Sequence, residues 1–218
     1  MALLLTGLSL LAATQAAKLT SVPVPDGCAG LPNWSAYGKI SGPWIPIVDQ
    51  CVNTTATDHA CSMEGYGTQA VAFQQQQGST VVEKGYIGIV EDNTMAKSTV
   101  RCLEGTGFQA VVPHSGYTSI TITDMPYSAQ VMWNLGEYSE PVHAYYHYLD
   151  GKKQDGIFLG SHNVTTWGIS LQDGQIGSGD KPWWMIRLLG PGSQDPQTGH
   201  ALEENEYRTF IRIDGIHV

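Results

Sequence analysis

Turn residues recur every eight to twelve positions along almost the whole chain, and most segments between them alternate apolar and polar side chains. That spacing suits short strands joined by tight turns and leaves little room for helices of ordinary length. Composition agrees: 25 glycines and 11 prolines are spread over 218 residues, and only 14% of the chain is charged. A helical bundle or coiled coil does not fit this glycine content. A basic nucleic-acid binder is excluded by a net charge of −9, because nothing would neutralise phosphates along a groove. A disordered acidic chain is excluded by the 42% of apolar residues.

The alternation is clearest at Tyr117 to Asp124, where Ile120 and Ile122 oppose Ser119, Thr121 and Thr123. Val142 to Leu149 is rich in aromatics and ends at Asp150-Gly151, a two-residue hairpin signal that makes Gly156 to Gly160 a partner strand. Trp183 to Leu189 is apolar on both faces apart from Arg187, the pattern of a central strand. Thr68 to Gln77 suits a helix as well as a strand with a polar tail. The expectation is one all-β domain over 18–218, a β-sandwich or β-barrel of lipocalin-like or jelly-roll-like form, with roughly ten to twelve strands and little helix.

Residues 1–17 read as a signal peptide. An apolar run from Leu3 to Ala13 is too short to cross a bilayer, and small residues follow it. No second long apolar stretch occurs, so no membrane span is expected and the chain is read as secreted. Three N-x-S/T sequons, at Asn33, Asn53 and Asn163, then become glycosylation sites on exposed turns. Four cysteines in an exported chain read as two disulfides. Three pairings exist; the polar stretch between Cys51 and Cys61 favours Cys51–Cys61 with Cys28–Cys102. No metal site is expected, since no C-x-x-C pair occurs.

Chemistry-bearing residues are few. His143 and His147 share a strand face, but four residues apart they stand roughly 13 Å from each other and cannot chelate one ion. With Tyr145 between them they form a polar aromatic strip suited to line a cavity, and these three are the candidate catalytic residues. Trp183 and Trp184 are adjacent, so in a strand their indoles point to opposite faces. Trp133, Trp167 and Trp183, with Arg187, are the candidate ligand-binding residues. Arginine in an apolar strand requires either an ion pair, the first reading for Arg187, or a ligand. Glu137 with Glu140, and Glu203, Glu204 and Glu206, read as solvated loop carboxylates before they read as catalytic pairs. No nucleophile elbow or cofactor motif is present.

The leading functional expectation is an exported glycoprotein whose aromatic-lined β-cavity holds a small organic ligand. Such a cavity suits a cofactor-free cyclisation or isomerisation in which shape and one acid or base suffice. A carbohydrate-binding module with exposed indoles, and a host-interaction or structural protein without a pocket, are the alternatives. The oligomeric state stays open.

Overall fold

The structure is a computed structural model that describes residues 18–49, 63–90, 97–136, 139–174 and 181–215. Residues 1–17, read above as a signal peptide, and Cys51, Cys61, Asn53 and Glu137 lie outside the described residues. The strands, in chain order, are β1 (Leu19–Pro23), β2 (Ile40–Asp49), β3 (Thr68–Gln77), β4 (Thr80–Ile89), β5 (Val100–Leu103), β6 (Gly107–Val112), β7 (Gly116–Thr123), β8 (Val131–Trp133), β9 (Ser139–Pro141), β10 (His143–Leu149), β11 (Lys152–Lys153), β12 (Ile157–Gly160), β13 (Trp167–Gln172), β14 (Trp183–Leu188) and β15 (Glu206–Gly215). Two short 3-10 turns, Gly27–Gly30 and Pro126–Ser128, are the helical elements among the described residues, and no helix there is long and apolar enough to cross a membrane. The ambiguous Thr68–Gln77 segment is a strand. It pairs with β4 along its whole length, from Thr68 opposite Ile89 to Gln77 opposite Thr80.

All strand pairs are antiparallel, and their hydrogen-bonded path closes on itself. It runs β15-β13-β14-β4-β8-β7-β6-β5-β2 and returns to β15. Two strands make the corners by changing partner midway. The first half of β7 pairs with β6 through Gln109 and Ser119, and its second half pairs with β8 through Ile120 and Trp133. In β15, Glu206–Thr209 pair with β13, while Phe210–Gly215 pair with β2. This is how strands turn a corner between two packed layers. On the other side of β15 a branch runs through β12 and β10 to β1.

Side chains from both layers meet in one core that includes Trp44, Trp133, Trp167, Trp184, Ile169 and Ile211. Packing is close to complete. A void of about 20 Å³ remains in the interior, walled by residues such as Ile87, Ile120 and Trp167. That is room for about one water molecule, so the interior of the closed ring is a packed core and not a ligand chamber. The expected Cys28–Cys102 disulfide is present and fastens the first 3-10 turn to β5.

Adjacent tryptophans take opposite sides of β14, as alternation requires. Trp184 joins the main core, while Trp183 packs with Val71, Val90, Tyr86 and Met185 in a second, smaller cluster. The Trp183 ring lies across Gly88, where a methyl group would collide with it. Apolarity on both faces of Trp183 to Leu189 thus reflects two covered faces, as read from the sequence.

Candidate functional site

A groove of about 640 Å³ opens at one end of the β10 layer. Four segments meet there: the end of β1 with the first 3-10 turn, the β5–β6 turn, the β9–β10 junction and the turn after β12. The disulfide holds the first two together, because Cys28 and Cys102 both line the groove. The floor is apolar, formed by Val24, Leu31, Phe108, Val142 and Ala144. Around it stand Asp26, Glu104, Glu140, His143 and His162, with Tyr145 also lining it. Size and lining fall in the range of small-molecule sites.

Local sequence explains the rim. Ser161 and Val164 exchange both backbone hydrogen bonds across a two-residue turn, with His162 and Asn163 at φ 51 and 61. That is the tight hairpin geometry in which asparagine is favoured. It lifts His162 above the strand, where its Nε2 lies 3.6 Å from Glu140 Oε2. The same pair walls a second concavity of about 280 Å³ on its far side, lined by Ile122, Pro126, Val164 and Leu188 among others. Glu140 and His162 therefore form a ridge between two grooves.

His143 is exposed at the mouth of the larger groove. Loss of solvent around the ring, and then the neighbouring His162 charge, hold His143 below the usual imidazole range, against the pull of Glu140. Tyr145 is buried, and its hydroxyl accepts a hydrogen bond from the Asn163 backbone N–H at 3.2 Å. Its own O–H stays available to donate.

The expected single aromatic cavity is not formed, because its residues are placed in four separate surroundings. His143 and Tyr145 line the groove. His147 lies on the same strand face but is buried, stacked on Phe158 at 3.6 Å between ring centroids and met edge-on by Phe210. Its Nε2 is 2.7 Å from Thr165 Oγ1, which in turn is 2.9 Å from Ser21 Oγ. Burial pushes the His147 imidazole down to about 4, partly opposed by Asp49. Trp133 and Trp167 are core residues, and Trp183 belongs to the second cluster. Trp167 donates its indole N–H to Leu159 O at 2.8 Å.

Arg187 has the partner that its apolar strand demanded. Its Nε and Nη2 donate to Glu206 Oε1 and Oε2 at 2.6 and 2.5 Å, and its Nη1 donates to Ser193 O at 2.7 Å. Both partners are buried, so the guanidinium is committed to structure. Glu206 is the correction here, since it read as part of a solvated acidic cluster. It sits in β15 directly against Gly168, where a methyl group would strike the carboxylate. Arg212, on the same strand, pairs with Asp49 at 3.1 Å.

None of the six tryptophans is exposed; five are buried and Trp34 is partly buried against the core. Asn33 and Asn163 are both exposed at positive φ. No trio of His, Cys, Asp or Glu among the described residues is arranged to hold a metal ion. Sequence reasoning missed His162 and the groove floor. The available signal was the Cys28–Cys102 pairing, which already joined the loop after β1 to the β5–β6 turn. Comparison with protein-family models finds no match, and comparison with curated proteins finds none either.

Proposed function

We propose that this protein binds a small organic molecule in the 640 Å³ groove beside the Cys28–Cys102 disulfide. One observation carries the reading: a disulfide-braced apolar floor ringed by a few polar groups, outside an otherwise packed core. Apolar surface supplies affinity in such sites, and sparse polar groups set orientation. Burial of the indoles favours this reading over a carbohydrate module, which needs exposed rings to stack on sugars.

A cofactor-free isomerase is the second reading, favoured by the His143 imidazole. Held below its usual range, it is unprotonated at neutral pH and suited to act as a base. In that role it takes a proton from a substrate carbon and returns it to another, so no proton is gained or lost overall. Tyr145 would donate a hydrogen bond to the substrate oxygen as charge builds there.

The test is native mass spectrometry of the secreted protein, before and after organic extraction, beside a Thr106→Trp variant. Thr106 is exposed on the groove rim, so the indole fills the groove without touching the core. A retained small molecule that is lost in the variant supports the proposal. No retained mass, with no binding across a panel of apolar metabolites, overturns it.

A further inference from the structure

We infer that the groove selects a cationic amphiphile, a molecule with an apolar body and a protonated amine; this rests on the binding reading above. Charge on the lining residues has one dominant sign. Asp26, Glu104 and Glu140 contribute carboxylates, and among the described residues no lysine or arginine lines the groove. Glu104 is balanced from outside by Lys39 at 3.4 Å, with both side chains more than half exposed. An exposed pair of this kind is weak and yields readily to a ligand ammonium.

Asp26 is the freest of the three. It stands at φ 61 ahead of the first 3-10 turn, and its side chain caps no backbone N–H there. Its carboxylate has no ion-pair partner among the described residues. Glu140 lies 3.6 Å from His162 and also acts on the His143 imidazole. His143, the other imidazole at the rim, is held toward its neutral form and so adds no repelling charge at neutral pH.

An anionic head group would meet three carboxylates, with Lys39 the fixed cation beside them among the described residues, reaching Glu104 from outside the lining. A neutral hydroxyl would gain a hydrogen bond from the carboxylates and no charge attraction. An ammonium is attracted by all three while its alkyl body covers the Val24, Leu31, Phe108 and Val142 floor. Water is displaced from that floor on binding, which strengthens the attraction at the mouth. The chain as a whole carries a charge of −9 and so draws cations from bulk solution as well.

Isothermal titration calorimetry with octylamine, octanol and octanoate separates charge from chain, because the three share one alkyl tail. At pH 7 and low salt, octylamine is expected to bind at least about tenfold tighter than octanoate, with octanol between them. The margin narrows as salt is raised, since these charges are near the surface. In Asp26→Asn/Glu140→Gln, which leaves Glu104 as the one lining carboxylate, the amine preference shrinks severalfold while octanol affinity is kept. Equal binding of all three, or tighter octanoate, overturns the charge inference and leaves the groove standing. No binding by any of them overturns the groove reading itself.

Discussion

Removing one partner of the Arg187–Glu206 pair should destabilise the protein far more than removing both. The guanidinium makes two charge-assisted bonds to the carboxylate and a third to Ser193 O, all of them buried. In Arg187→Met the Glu206 carboxylate keeps the Glu203 backbone N–H at 2.9 Å as its donor. In Glu206→Gln the guanidinium faces a neutral amide, with Glu203 3.9 Å away and partly in solvent. Each single change strands a buried charge, at a cost of about 3–5 kcal/mol. For a domain of this length that lowers Tm by roughly 10 °C. The double variant strands neither charge, so it should be more stable than either single. Urea unfolding followed by circular dichroism gives all four stabilities and a coupling energy expected to exceed about 2 kcal/mol. If the double variant instead loses the sum of the two singles, the pair is not the coupled unit described, and Arg187 regains its claim as a ligand anchor.

Protonation of His147 gives a second expectation. Its folded value lies near 4, below the ordinary 6.5, so the unfolded chain takes up the proton first as pH falls. Stability from this group is complete above about pH 6.5 and declines to about pH 4, by about 3 kcal/mol over the window. Urea midpoints across that range should fall more steeply in the wild type than in His147→Phe, which keeps the ring stack; parallel curves would refute the assignment. The Cys28–Cys102 link closes a loop of 74 residues, so replacing both cysteines with serine should cost about 4 kcal/mol and should also loosen ligand binding. Calorimetry on that variant checks both effects, and unchanged affinity would mean the link does not shape the groove. Trp183→Ala and Trp184→Ala should each cost about 3–5 kcal/mol, because both indoles are buried in separate clusters. A nearly neutral Trp183→Ala in a urea titration would show that the second cluster is not a true core.

Period-two patterning made the strands readable because each has at least one covered face. Tyr117 to Asp124 and Trp183 to Leu189 were legible almost to the residue as β7 and β14. The corners were not legible. Nothing in the alternation of β7 marks the place where Ser119 pairs with β6 and Ile120 with β8. Residue type correctly demanded a partner for Arg187, but its identity lay across the long polar loop, in a glutamate whose neighbours Glu203 and Glu204 are exposed. The groove was hidden for a related reason. His143 and Tyr145 carry its only aromatic-strip signal, while Asp26, Glu104 and His162 come from turns that meet only through tertiary contacts. The buried tryptophans misled because an indole reads alike in a core and in a pocket.

Closure of the ring has a consequence in time. β2, near residue 45, meets its outer partner only when β15, near residue 212, has been made. β1 likewise waits for β10, since Ser21 lies opposite His147. Contacts of such sequence separation form slowly, because a long loop must close before they gain anything. Sequence-adjacent pairs such as β3 with β4 and β6 with β7 can form early, but β1 and one edge of β2 stay without their distant partners through most of synthesis. The chain completes its architecture in one late step, when the last of the described strands threads between β12, β13 and β2.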